Sequence, residues 1–150
     1  MTRFLLLLTT LMVLSHPASA QRVQDIQQTL LDFNSAVTNK DIEKASSVFD
    51  NDSNVILAGS GKDELHKGNV AIRKFLERFF SQPFRVSWNM SNMSVNQNNK
   101  TAWAFVDGTA TIQYDNGQVA NMPYRITVVM VKKGKIWKWK LFNGSVPELN

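Results

Sequence analysis

Val23, Ile26, Leu30, Phe33 and Val37 recur at spacings of three and four near the start of the chain. That period gathers them on one stripe and predicts an α-helix from near Val23 to near Thr38. Asn39-Lys40 interrupts the stripe, and Asp41 then stands where an N-cap belongs. Its carboxylate can accept a hydrogen bond from a free N–H of the first turn. Ile42, Ala45, Val48 and Phe49 mark a second, shorter helix, so the pair forms a helical hairpin. The segment from Asn54 to Ala58, with Val55-Ile56-Leu57 inside it, reads as a short strand. Gly59-Ser60-Gly61 reads as a turn, and Glu64 to Lys67 as a brief return strand. A third helix, from Val70 to about Phe80, carries Ile72, Phe75, Leu76 and Phe79 on its stripe, and Pro83 ends it.

After Pro83 the period drops to two. Phe84, Val86, Trp88 and Met90 alternate, and then the apolar phase moves to Met93 and Val95. Such a slip predicts one extra residue near Ser91-Asn92, a β-bulge that bends the sheet. Three more strands follow, from about Lys100 to Tyr114, about Gln118 to Val131, and Lys135 to Ser145. Asn96-Gln97-Asn98-Asn99, Asp115-Asn116-Gly117 and Lys132-Lys133-Gly134 connect them with hairpin chemistry. In the last strand, alternation puts Trp137, Trp139, Leu141, Asn143 and Ser145 on one face and Lys138 and Lys140 on the other. An aromatic face that ends in Asn and Ser suggests a strand running from the core to the wall of a polar-lined cavity. Three helices and then four long antiparallel strands make an α+β fold, with the helices on one face of a bent meander.

Ahead of the first helix, Arg3 precedes an apolar run from Phe4 to Leu14 broken only by Thr9 and Thr10. His16-Pro17 then leads to Ala18-Ser19-Ala20. A positive start, a short apolar run and a small-residue triplet are the marks of a signal peptide cut before Gln21. The run is shorter than the ~20 residues of a spanning helix. The expectation is an exported protein, periplasmic or secreted, with residues 1–20 as signal and 21–150 as one domain. No stable membrane insertion is expected once the signal is cut. The chain has no cysteine, so in an oxidising compartment its stability must come from packing.

The formal charge is +5 and falls to +4 when Arg3 leaves. The remaining basic residues are spread along the chain. The Trp-Lys alternation at 137–140 has two readings, a stacking platform for single-stranded nucleic acid or a half-buried strand with its lysines in water. Export and the dispersed charge favour the strand, and no nucleic-acid partner is expected. His66 is the sole histidine after residue 20, so the usual zinc ligand set is missing; neither a metal nor a cofactor is expected. The sequons at Asn51, Asn89, Asn92, Asn99 and Asn143 matter only on a eukaryotic secretory route.

Several strings together resemble a known family. They are Ile26 to Phe49 with Asn39-Lys40-Asp41 between the helices, and Val55-Ile56-Leu57 followed by Gly59, Glu64, Gly68 and Ala71-Ile72. Ala102-Trp103, Arg125-Ile126-Thr127, and Trp137 followed by Ser145 and Pro147 complete the set. In this order the chain after the signal resembles the SnoaL-like group of the nuclear transport factor 2-like superfamily. The resemblance implies a cone-shaped fold: three N-terminal helices packed on a strongly bent, mostly antiparallel sheet, enclosing a mostly apolar cavity. It also implies a small-molecule ligand and often a homodimer, without naming a chemistry. Relatives often carry a His six residues after the strand Trp, where this chain has Asn143. An amide can hydrogen-bond but cannot titrate near neutral pH.

Arg125 is a candidate anion ligand through its planar fork, against a reading as a surface ion-pair partner; the family's Arg-x-Thr pattern favours the cavity. Asn143 and Ser145 are placed beside it, with Trp88, Trp139, Phe33 and Tyr124 as apolar or amphipathic walls. An arginine in an apolar enclosure needs a counter-charge, so the expected ligand is mostly apolar and carries an anionic or carbonyl group. Asp107, unusual in mid-strand, and His66 are candidate acids or bases. A three-residue loop at Asp115-Asn116-Gly117 sets Asp107 opposite Arg125, whereas a two-residue turn at Asn116-Gly117 sets Gly108 there. The aromatic and Met content of the meander exceeds what one face needs, which predicts a two-fold dimer through the sheet. The functional readings are a binding protein, a proton-transfer isomerase, dehydratase or cyclase, and an assembly module with a vestigial pocket.

Overall fold

The computed structural model describes residues 18–148. Arg3 and the apolar run of the expected signal lie outside them. Helix α1 (Ala18–Thr38) buries Ile26, Leu30, Phe33 and Val37 of the predicted stripe and leaves Val23, its first member, half-buried. It begins earlier than that stripe does; the side-chain amide of Gln21 bonds to Asp25 one turn on at 3.1 Å. Lys40 takes φ 56° between the helices. Asp41 caps α2 (Ile42–Ser47), accepting from the Lys44 N–H at 3.0 Å. Strands β1 (Ile56–Ala58) and β2 (Leu65–Lys67) pair antiparallel around the Gly59–Gly61 turn, and α3 (Asn69–Phe80) follows.

The remaining strands are β3 (Phe84–Trp88), β4 (Met93–Asn98), β5 (Thr101–Tyr114), β6 (Val119–Lys133) and β7 (Ile136–Ser145). The sheet order is β2-β1-β7-β6-β5-β3, with β4 also on β5; only β1 against β7 is parallel. The chain folds as an α+β cone, with helices against one face of a strongly curled sheet. Trp139, Phe49, Ile26, Leu30, Ile72 and Met130 are among the fully buried side chains between these layers.

The predicted slip near Ser91-Asn92 is present. Trp88 pairs with Ala110 and Met93 with Val106, so Asn89 to Asn92 oppose the three residues from Asp107 to Thr109. Gly108 belongs under this irregularity, because a Cβ there would strike the Asn89 carbonyl oxygen. The β5–β6 loop has three residues between Tyr114 and Gln118, with Gly117 at φ 86°, and it sets Asp107 opposite Arg125.

A second bulge changes β7. Val129 pairs with Leu141 but Met130 pairs with Trp139, so Lys140 has no partner in the ladder. The alternation therefore shifts by one residue. Trp137 and Trp139, then Phe142 and Gly144, face the helices and are buried. Leu141, Asn143 and Ser145 turn to the open face, which corrects the expectation that they share a face with the tryptophans. The Lys140 ammonium reaches Asp52 at 2.5 Å and Asp50 at 3.3 Å. Asp50 is also held by Lys133 at 2.6 Å, and its N–H donates to the Trp139 carbonyl.

Candidate ligand-binding site

A cavity of about 170 Å³ lies between the helix-covered face of the sheet, α1 and α3. Helix α1 supplies Phe33 and Val37, and α3 supplies Phe75, Leu76 and Phe79. The sheet supplies Leu57, Phe84, Val86, Trp88, Ala110, Ile112, Met122, Tyr124 and Phe142. The aromatic rings pack on one another: Phe33 lies stacked against Trp88 with centroids 6.2 Å apart, and Trp88 lies 6.0 Å from Tyr124. The side chain of Asn34 braces the Trp88 backbone, donating to its carbonyl and accepting from its backbone N–H, both at 2.9 Å.

The polar part of the lining is Gly59, Ser60, Glu64 and Tyr124. Glu64 folds back over the Gly59–Gly61 turn, where its carboxylate accepts from the Gly61 N–H at 2.9 Å. A Cβ on Gly59 would overlap the Glu64 side chain, with its Cβ at 2.8 Å, so this turn requires glycine there. Gly144 opens the space that Tyr124 uses, since a Cβ there would lie 2.8 Å from the Tyr124 Cζ and nearer still to the hydroxyl. Burial pushes the Tyr124 phenol up; a hydrogen bond with Ser60 opposes that rise, and the Glu64 charge adds to it. The phenol thus stays protonated at neutral pH and keeps a proton to donate. Among the described lining residues Glu64 is the one that carries a charge.

Of the residues predicted to form the site, Phe33, Trp88 and Tyr124 line the cavity. Trp139 does not. It is fully buried behind them, 4.7 Å from the Phe33 ring and 6.0 Å from the Phe142 ring, with its indole N–H on Thr29 at 3.0 Å. Arg125, Asn143 and Ser145 do come together, in register across β6 and β7, but on the open face away from the cavity. The expected grouping is corrected for two reasons. Arg125 alternates with Tyr124 and the buried Ile126, and the Lys140 bulge turns Asn143 and Ser145 outward.

Asp107 sits on that open face too, with Arg125 Nε donating to its Oδ1 at 3.0 Å. Their side chains are 59% and 48% exposed, so the pair is a surface ion pair and Asp107 is no base for the cavity. His66 stacks on Phe75 at 4.4 Å, and its buried Nε2 has no hydrogen-bond partner among the described residues. Sequence reasoning missed Ser60, Glu64 and Phe142 as site residues. The available signals were Phe142, apolar in the wrong phase beside Leu141, and an acid placed just after a Gly-Ser-Gly turn.

On the open face the register aligns Trp103, Val129 and Leu141 in one row, with Phe105 beside Trp103. Trp103 is 43% and Phe105 41% exposed. Among the described residues no helix is long and apolar enough to cross a membrane.

The family model of the SnoaL-like domain matches residues 26–148. Curated proteins give no match to the sequence. Solved structures match the fold. A Streptomyces avermitilis protein assigned as a dehydratase of the nuclear transport factor 2-like family has 15% identity and a TM-score of 0.77, over 88% of this chain and 100% of that one. A Salmonella enterica protein of the same superfamily has 17% identity and a TM-score of 0.77, over 89% and 96%. A Xanthomonas campestris protein assigned as a calcium/calmodulin-dependent protein kinase II association domain has 19% identity and a TM-score of 0.69, over 91% and 94%.

Proposed function

The chain belongs to the SnoaL-like domain family, and from that premise we propose that it is an exported, dimeric protein that binds a small, mostly apolar molecule in the cavity under its sheet. The observation that carries this reading is the aromatic-lined pocket with one polar edge at Ser60, Glu64 and Tyr124. Apolar walls supply the driving force and a few placed polar groups supply orientation. The ligand is neutral and carries a hydroxyl or carbonyl group. An anion would meet the Glu64 carboxylate, with Arg125 on the far side of the sheet. Export rests on the signal-like pattern of residues 1–20. The dimer rests on the apolar row Trp103, Val129 and Leu141, which a second copy would cover.

Mass spectrometry of an organic extract of the purified protein tests the reading. Ala110 is buried in the cavity wall, so Ala110→Leu adds bulk directly into the space. The unaltered protein should release a bound molecule and the folded variant should not. A variant that carries the same molecule, or an unaltered protein that carries none, counts against the cavity.

One observation favours a second reading, a proton-transfer enzyme of isomerase or dehydratase type. The Glu64 charge acts on the Tyr124 phenol at the cavity edge. A carboxylate base beside a phenol held protonated is the pair such chemistry uses. Glu64→Gln would then abolish turnover and leave the ligand bound; retention of turnover would exclude this role.

A further inference from the structure

We infer that the ligand enters this cavity apolar end first and leaves a hydroxyl group at the rim, where it donates a hydrogen bond to the Glu64 carboxylate. This rests on the cavity being the ligand site, and it adds the direction of entry and the sense of the polar contact.

The buried residues of the lining are all apolar, Phe33, Leu57, Leu76, Val86, Ala110 and Phe142 among them. The polar side chains lie where the cavity meets water: Ser60 is exposed, and Glu64 and Tyr124 are half-buried. The cavity therefore has an apolar floor and a polar rim open to solvent. A polar group carried to that floor would lose its water and find no side-chain partner. The same group left at the rim keeps part of its hydration while the apolar body is buried. The open rim sets no limit on what extends beyond it.

The rim groups fix the sense of the contact. Ser60 and Tyr124 are hydrogen-bonded to each other. Glu64 Oε2 accepts from the Gly61 N–H at 2.9 Å, and Oε1 has no hydrogen-bond partner among the described residues. A carboxylate only accepts, so Oε1 takes a donor from the ligand. A carbonyl or ether oxygen would meet its lone pairs, and an anion would meet a like charge. A hydroxyl supplies one proton and makes a charge-assisted bond. An ammonium carries three donors, and a heavier cost of leaving water, to a site with one open acceptor.

The test titrates five probes on one frame into the mature protein, with NMR detection: benzyl alcohol, benzaldehyde, benzyl methyl ether, benzylamine and benzoate. Benzyl alcohol should bind most tightly and move the Gly61 amide signal. Benzaldehyde and the ether should bind roughly three- to tenfold more weakly, less than a bond to a fully buried charge gives, because the rim is open to water. Benzoate should bind more weakly still, and benzylamine no more tightly than the alcohol. Nuclear Overhauser effects should connect the ring to methyl groups of Leu57, Leu76 and Val86, and the hydroxymethyl protons to none of these. In Glu64→Gln the amide can present a donor in place of Oε1. The preference for benzyl alcohol over benzaldehyde should then vanish or reverse, a comparison in which differences of transfer from water cancel.

The inference is overturned by benzaldehyde, the ether or benzoate binding as well as benzyl alcohol, by benzylamine binding more tightly, or by the preference surviving in Glu64→Gln. Hydroxymethyl protons in contact with the floor methyls, or no probe binding, overturn it too. Ala110→Leu separates this from the wider reading. Binding of any probe that the variant abolishes keeps the cavity as the site even where the hydroxyl-at-the-rim inference falls. Binding that the variant leaves intact removes both.

Discussion

Replacing Gly144 with Ala tests how the polar edge of the cavity is built, through the sign of the stability change. Gly144 is a buried residue of β7. With no Tyr124 above it, Ala would stabilise the strand, since Gly in a strand interior is unfavourable by roughly 0.5–1 kcal/mol relative to Ala. With Tyr124 in place, the new Cβ lies 2.8 Å from Cζ and 3.0 Å from Cε1, well inside the 3.4 Å at which ordinary contact begins. The hydroxyl is closer still, so the ring has to swing off Gly144. Overpacking of this kind costs about 1–3 kcal/mol. Two overlapping ring carbons plus the hydroxyl point to the upper part of that range, and the net loss should be about 1–2 kcal/mol. For a domain of this size that corresponds to a fall in Tm of roughly 3–6 °C. Urea unfolding followed by tryptophan fluorescence measures it. In a Tyr124→Ala background the obstacle is gone, and the same substitution should become neutral or stabilising by about 0.5 kcal/mol. A Gly144→Ala protein as stable as the parent, or additive behaviour in the double variant, would refute the account of how Tyr124 is held.

Other outcomes follow from the same geometry. Arg125→Ala should leave ligand binding unchanged and lower stability by no more than about 1 kcal/mol, as expected of an exposed ion pair; calorimetric titration and thermal unfolding check both. Asp50 has 3% of its side chain exposed. Burial alone would push its carboxyl up, but hydrogen bonds from Lys133 and Lys140, and their charges, hold it below the ordinary aspartate range. The unfolded chain therefore binds more protons in that window, so this stabilisation is complete above about pH 4 and lost as pH falls further, through the folded-state value. Asp50→Asn should cost about 1.5–3 kcal/mol at neutral pH and flatten the acid limb of a stability-versus-pH curve. Phe105→Lys should turn a dimer into a monomer by light scattering while the circular dichroism spectrum is retained; an unaltered protein that is already monomeric removes the dimer. Intact mass of the protein recovered outside the cytoplasm should correspond to a chain that begins at Gln21, and a full-length membrane-bound species would contradict export.

The helices and the antiparallel run of the last three strands were legible in the sequence because each has a local cause: the stripes on α1 and α3 are periodic, Asp41 is a cap, and turn residues separate the strands. The β5–β6 register stayed open between a three-residue loop at Asp115-Asn116-Gly117 and a two-residue turn at Asn116-Gly117, because both are good hairpin chemistry, and the structure takes the three-residue loop. The site was legible only in part, because one residue of slip reverses the faces of a strand. In Trp137-Lys138-Trp139-Lys140-Leu141-Phe142 both Leu141 and Phe142 are apolar, so the sequence permits either phase after Lys140. The choice is made by tertiary contacts: the Phe49 bridge to Trp139, and the acids Asp50 and Asp52 that draw in Lys140. The same slip moved Asn143 and Ser145 outward and brought Phe142 into the cavity. Arg125 was misplaced for a different reason. The family-like Arg-x-Thr string fixes a strand but not which of its faces meets the cavity. Glu64 went unassigned because its role depends on the Gly59–Gly61 turn folding it back, a geometry with no periodic signature.

The central claim is that ligand enters the helix-covered cavity and not the Arg125 face. Mapping methyl and backbone NMR shifts on binding of benzaldehyde tests it most directly. The account predicts that the perturbed signals cluster on Val37, Leu57, Leu76, Val86, Ala110 and Met122, all of which line the cavity. A cluster centred on Asp107, Arg125, Asn143 and Ser145 would contradict it.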